Sequence, residues 1–213
     1  MIRQILKLPL NITVACSGGV DSMAALDFLR NGRKNIRVAH FYHGTDHGKD
    51  AREIVTEYCD RYNIPIVHGE ISRDRDSEES PEEYWRNERM KFFRSLECSV
   101  VTCHHLDDAV EWWIFTSLHG KPRLIPAIND PVIRPFITTE KSNFLRWADR
   151  RDVCYVDDPS NKNVRFARNR IRHNIVNEAL EINPGLRKVI RKKIEKEYLE
   201  YREREAKYVN SAA

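Results

Sequence analysis

The stretch from Asn11 to Arg30 constrains this chain more than any other. A short run, Asn11-Ile-Thr-Val-Ala-Cys16, leads into Ser17-Gly18-Gly19-Val20-Asp21-Ser22 and then into Met23 to Arg30. Ile12, Val14 and Cys16 alternate with smaller or polar residues, the pattern of a buried strand. The glycine pair marks a sharp bend where no side chain blocks an approaching ligand. Met23, Ala24, Leu26, Phe28 and Leu29 then set one apolar helical face. Strand, glycine loop and helix start in this order make an anion site, because free N–H groups and the positive end of the helix dipole converge there. Ser17 and Ser22 add hydroxyl donors. Asp21 puts a carboxylate beside the expected phosphates, a repulsion that an intervening cation removes, so the loop predicts Mg²⁺. A plain turn with Asp21-Ser22 as an N-cap is the competing reading of the same residues.

Downstream, Ile36 to Phe41 reads as a second strand with Tyr42-His43-Gly44-Thr45 as its exit, Lys49 to Tyr62 as a helix, and Pro65 to Ile71 as a third strand. Cys98 to Thr102 reads as a fourth strand, Val132 to Ile137 as an edge strand because of Pro135, and Lys141 to Arg151 as a helix with Phe144, Leu145, Trp147 and Ala148 inward. This alternation predicts an α/β fold, a doubly wound parallel sheet with ligands at the carboxyl ends of its strands. Ser17, His43 and His104 all fall at such ends. Two units are expected, a nucleotide-binding domain over 1–158 and a small basic helical extension over 159–213. The last helix is expected from about Pro184 to Ala206. No internal repeat is present.

Charge and composition narrow the function classes. The 213 residues carry a net charge of +4, but residues 159–213 hold 14 Lys/Arg against 7 Asp/Glu while the remainder holds 22 against 25. A basic tail on a slightly acidic body predicts a polyanionic partner larger than a nucleotide. A solvated charged helix is the alternative for residues 187–207. No apolar run approaches the ~18 residues of a membrane span, and Met1-Ile-Arg-Gln lacks the layout of a signal peptide. Five cysteines form an odd set with no Cys-x-x-Cys pair, which suits reduced thiols and a cytoplasmic setting.

Three further clusters carry chemistry. Ser72 to Ser80 has no apolar residue and reads as a mobile loop; Pro81, Glu82 and Glu83 then open a helix with the residues favoured in a first turn. On that helix Arg86 and Arg89 share a face. His104-His105-Leu106-Asp107-Asp108 with Glu111 places two histidines and three acids at a strand exit and helix start. Like charges at these spacings cost about 0.2–0.5 kcal/mol per pair, which the helix dipole offsets by about 0.3–1 kcal/mol per acid. With the histidines in the same sheet as the glycine loop, a metal–nucleotide role is expected, and zinc is disfavoured for want of a tetrahedral set. Arg165, Arg168 and Arg172 share a third face.

The Ser-Gly-Gly-Val-Asp-Ser string resembles the PP-loop of the ATP pyrophosphatases, which implies cleavage of ATP between its α and β phosphates. Six blocks in order extend the resemblance to the tRNA(Ile)-lysidine synthetase family over about Asn11 to Val176. They are the loop; His43-Gly44; Glu82 with Arg86 and Arg89; His104 to Asp108 with Glu111; Arg134-Pro135; and Asp158-Pro-Ser-Asn161 with Arg168-Asn169 and Arg172. The resemblance implies a ligase that adenylates C2 of the wobble cytidine in the CAU anticodon of an isoleucine tRNA and then joins free lysine there. It implies ATP contacts at Ser17 to Ser22, His43 and His104, and catalytic roles for Asp21, Arg86 and one of Asp107, Asp108 or Glu111. Asp21 and Asp108 would hold Mg²⁺, and Arg89, Arg168 and Arg172 would grip the anticodon stem-loop. Departures from the family are Trp112 in place of a Thr, Trp85 in place of an Ala, Met90 in place of an aromatic, and a shortened Ser117 to Arg123. Two other functions compete: a PP-loop tRNA thiolase, which would call on cysteines such as Cys98 and Cys103, and a tRNA-binding protein with an inactive nucleotide site.

Overall fold

A computed structural model of the chain describes residues 1–157 and 167–211. Strand β1 (Asn11–Ala15) lies at the centre of a six-stranded sheet. Its neighbours in sequence follow as α1 (Val20–Asn31), β2 (Asn35–Tyr42), α2 (Asp46–Arg61), β3 (Ile66–Glu70), α3 (Pro81–Ser95), β4 (Val100–Val101) and α4 (Leu106–Leu118). The hairpin β5 (Ile128–Asn129) and β6 (Val132–Ile133), helix α5 (Lys141–Arg151), and the helices α6 (Ala167–Arg170), α7 (Val176–Ile182) and α8 (Leu186–Ser211) complete the order. The sheet runs β3-β2-β1-β4-β6-β5, parallel except for the β5–β6 pair. Because β1 pairs with β2 on one side and β4 on the other, the strand order reverses at β1, and the crevice opens at its carboxyl end.

The two faces of the sheet are covered unequally. Ile12, Val14, Ile36, Val38 and Val101 point into the larger core, shared with α1, α2, α4 and α5. Val100 and Val132 point to the other face, where Phe93 of α3 packs with Met90, Phe92 and Leu96. Ile171, Val176, Ile190 and Ile194, from the basic C-terminal stretch, are buried in the larger core.

Four sequence expectations change. The segment from Val132 is an interior strand, since β6 hydrogen-bonds β4 and β5 takes the edge; Pro135 stands beyond it, its carbonyl accepting from Ile5 N–H at 2.8 Å. Leu145 is 43% exposed while Phe144 and Ala148 are buried, so the inward stripe of α5 is narrower than expected. Ser72–Ser80 has no regular structure, yet Glu88 of α3 accepts from Ser72 N–H, Ser72 Oγ and Arg73 Nε at 3.1, 2.8 and 3.1 Å. Ile171–Ile175 forms a π-helical turn between α6 and α7. Its wider i→i+5 repeat brings Ile171 and Val176, five apart, to the same core.

Candidate active site

The loop after β1 is braced from within. Ser22 is buried; its hydroxyl donates to Gly19 O at 2.9 Å and accepts from Ser17 N–H at 3.2 Å. Ser22 therefore shapes the loop from within, while Ser17, its Oγ 3.1 Å from that of Ser22, is exposed. Helical bonding starts with Met23 N–H on Gly19 O at 3.0 Å, so the N–H groups of Val20, Asp21 and Ser22 have no acceptor within the helix. Gly18 sits at φ +83°, and a Cβ there would come within 2.9 Å of Ala51 Cβ. Only glycine meets both demands. Gly18 O also accepts from Val156 N–H at 3.0 Å, anchoring the chain beyond α5 to the loop.

The acidic cluster faces this loop across one imidazole. His105 is the N-cap of α4 in a reciprocal capping box: its Nδ1 accepts from Asp108 N–H at 3.2 Å, and Asp108 Oδ2 accepts from His105 N–H at 3.0 Å. The other ring nitrogen, Nε2, lies 3.5 Å from Asp21 Oδ2. Burial pushes the His105 pKa down, but Asp108 and Asp21 outweigh it and hold it above the ordinary value. Cys103 Sγ donates to Asp21 O at 2.8 Å from the same side. Loop and cluster thus share a crevice at the carboxyl ends of β1 and β4.

Within that cluster the acids have separate partners. Asp107 Oδ1 receives Arg187 Nε and Nη2 of α8 at 3.0 and 2.7 Å, and its Oδ2 receives Lys141 N–H at 2.8 Å. Glu140, the N-cap of α5, makes no side-chain cap, so Asp107 supplies one from α4. Both its oxygens accept hydrogen bonds from these partners. Glu111, buried, receives Arg168 Nε and Arg172 Nε at 2.7 Å each. Among the described residues Asp108 Oδ1 meets only Arg172 Nη2, at 3.4 Å. Burial would raise the Asp108 pKa, but His105 and Arg172 hold it below the usual carboxylate value. Arg168 and Arg172 thus reach the acids; Asp158, Asn161 and Arg165 lie outside the described residues.

Opposite the acids stands a group of arginines. Arg86, Arg89 and Arg134 repel one another: burial and these neighbours lower the pKa of Arg89 and bring Arg134 down to about 10. Arg134 Nη1 donates to Pro126 O at 3.1 Å, while its buried Nε has no partner among the described residues. His104 lies between these cations and Asp108; burial drives its pKa down to about 3, so the ring is neutral, with Nδ1 2.8 Å from Thr102 Oγ1. Among the described residues none of these three guanidinium groups has a carboxylate partner, and such crowding is relieved by an anion or by open water. His43 stands at the exit of β2, its ring 6.1 Å from that of Trp85.

Among the described residues no group of three His, Cys, Asp or Glu is arranged to hold a metal ion. Mg²⁺ asks for less, one or two carboxylates with the rest of its shell from phosphates and water. Asp21 fits that demand: its Oδ1 is buried without a hydrogen-bond partner among the described residues. Lys141 Nζ, 3.4 Å from Asp21 Oδ2, was missed by sequence reasoning. One signal existed, since a lysine in the first turn of a helix opposes the dipole.

Set against known proteins, residues 3–179 match the PP-loop domain family, and the chain belongs to it. Its curated relatives include the tRNA(Ile)-lysidine synthase of Thermotoga maritima, 32% identical over 191 residues, covering 82% of this chain and 46% of that one. The enzyme of the same name from Lactiplantibacillus plantarum is 29% identical over 195 residues, covering 83% and 44%. The chain therefore spans about half the length of the curated relatives it matches. A solved structure, the U34-tRNA thiolase of Methanococcus maripaludis with its [4Fe-4S] cluster, superposes with a TM-score of 0.74 at 16% identity over 90% of this chain and 73% of that one. That likeness shows the same fold.

Proposed function

We propose that the protein is the catalytic part of a tRNA-modifying ligase that uses ATP to adenylate the C2 oxygen of the wobble cytidine in the CAU anticodon of an isoleucine tRNA, with loss of pyrophosphate, and then joins lysine to C2 as AMP leaves with that oxygen. The observation that carries this reading is His105 standing between Asp21 of the glycine loop and Asp108 of the acidic cluster. It sets a triphosphate cradle and an amine-binding carboxylate side by side, as transfer from an adenylate to an amine requires. The similarity to the two synthases supports the choice of RNA and amine.

In this mechanism the N–H groups of Val20, Asp21 and Ser22 and the hydroxyl of Ser17 cradle the phosphates. Arg86 takes up charge that develops on the departing pyrophosphate, and Arg89 and Arg134 hold phosphates of nucleotide or RNA beside it. Bound Mg²⁺, held by Asp21 with Asp108 as a second carboxylate, supplies further charge neutralisation there. His43 and neutral His104 line the nucleotide side. Asp108, kept ionised, orients the ε-amine of lysine toward C2. Glu111 acts through Arg168 and Arg172, and Asp107 through Arg187 and α5, so both are positioning residues. In this reading Arg168 and Arg172, 40% and 35% exposed, also meet RNA phosphates, although Arg172 Nη2 turns to Asp108 at 3.4 Å.

The test is mass analysis of nucleosides from tRNA incubated with the protein, ATP, Mg²⁺ and lysine, alongside tRNA-dependent ATP–pyrophosphate exchange. A cytidine heavier by one lysine less water is expected. ATP binding without exchange would leave a tRNA-binding protein with an inactive site. A sulfur-containing base in a parallel sulfide reaction would mark a thiolase, against which Cys98 and Cys103 flank β4 at its opposite ends.

A further inference from the structure

The stacked rings on α4 have no part in the chemistry above. Trp112 and Phe115 stack at 5.6 Å between centroids and 19° between planes, and His119 continues the column 4.4 Å from Phe115. The spacing 112, 115, 119 puts the three on one side of the helix. Trp113, Ile114 and Phe115 pack against the core, whereas the half-buried Trp112 is not among the described residues that do.

Its surroundings are cationic. Arg168 holds its guanidinium carbon over the Trp112 ring, 5.9 Å from the centroid, close to the ~6 Å limit of a cation–π contact. Arg168 also adds to the positive field that lowers the Arg89 pKa. His119, Lys121 and Arg123, just beyond α4, are exposed. Aromatic faces interleaved with cations suit an unpaired nucleic-acid strand, since stacking takes the bases while the cations follow the phosphates.

We propose that Trp112, backed by Phe115 and His119, is a stacking platform for an unpaired base of the RNA loop whose cytidine enters the crevice next to it. This rests on the RNA-modifying reading above and adds a surface to it. Glu111 ties the two together: it is the residue before Trp112 and holds Arg168, so a base on the platform lies one residue from the acidic cluster. With a neighbouring base held there, the target cytidine is drawn out of its own stack.

The test uses the whole chain and two 17-nucleotide RNA hairpins with seven-membered loops, one containing CAU and one with abasic spacers throughout the loop. For the CAU hairpin, Trp112→Ala is expected to weaken binding by roughly 5- to 150-fold and Trp112→Phe by much less, with an unchanged salt slope because no charge is lost. For the abasic hairpin, Trp112→Ala is expected to bind as the unaltered protein does. Tryptophan quenching on binding should fall in both variants, and thermal melts should show them folded. Equal CAU binding by Trp112→Ala and the unaltered protein overturns the platform while leaving the RNA reading intact. An equal loss of affinity for both hairpins also overturns it, as it would show a purely structural effect. Failure of the unaltered protein to bind either hairpin at low salt overturns the RNA reading and the platform together.

Discussion

Replacing Glu111 by Gln tests how the acidic cluster is held. The side chain is 2% exposed and receives one guanidinium Nε on each oxygen at 2.7 Å. An amide of the same shape still accepts from one arginine but turns an NH₂ toward the other, donor against donor. Losing one charge-assisted hydrogen bond costs about 1.5–3 kcal/mol. Arg168 and Arg172 are 40% and 35% exposed, so the released guanidinium regains water and the cost of stranding a buried cation does not apply. The expected destabilisation is about 2–3 kcal/mol. At about 2–4 °C per kcal/mol for a chain of this length, the melting temperature should fall by about 4–12 °C in a calorimetric scan. Adenylation should fall with it, because Arg172 also touches Asp108. A Glu111→Gln protein that melts within about 1 °C of the unaltered one would show that neither arginine depends on this carboxylate. The reasoning that makes it a positioning residue would then fail.

Asp21→Ala is expected to abolish tRNA-dependent ATP–pyrophosphate exchange with little change in melting temperature, and normal turnover would refute its assignment to Mg²⁺. Asp27→Asn should cost about 3–5 kcal/mol in urea unfolding, since Arg30, Tyr58, Asn31 and Trp147 all donate to that buried carboxylate; a loss below about 1 kcal/mol would contradict this. Gly18→Ala should weaken ATP binding at least tenfold in calorimetric titration, given its positive φ and the contact with Ala51, and unchanged affinity would refute the cradle geometry. His104, with its folded pKa lowered to about 3, takes up a proton in the unfolded chain before it does so in the folded one. Its contribution is complete above the unfolded value of about 6.5 and declines as pH falls toward 3. His104→Gln should therefore flatten the loss of stability between pH 6.5 and 4.5 by up to about 1.4 kcal/mol per pH unit. Equal slopes in urea titrations at pH 4.5, 5.5 and 6.5 would refute it.

Local sequence carried the glycine loop, because its ingredients are adjacent: a buried strand, a glycine at positive φ and a helix start lie within residues 11–31, and hydrogen bonds through the Ser22 hydroxyl close the loop on itself. The same holds for the capping box of His105 and Asp108, three residues apart. Periodicity likewise revealed α5, whose buried Phe144 and Ala148 stand four apart, and short apolar runs marked β1 to β3. It misjudged Pro135 and Leu145, because which strand is an edge and how wide a buried stripe is depend on what packs alongside.

Partner choice among the charges was decided by the tertiary structure alone. Asp107, Asp108 and Glu111 look equivalent along the chain, yet Arg187 and Lys141 claim the first, Arg168 and Arg172 the last, while the middle one pairs with His105 on one oxygen and, among the described residues, has a longer contact with Arg172 on the other. Asp27 reads as one surface acid among many until Tyr58 and Trp147, 31 and 120 residues away, close over it. Helical and strand periods report which face a residue lies on. The strength of an ion pair depends on distance and on the exclusion of water between side chains remote in sequence, and those are set only when the elements pack.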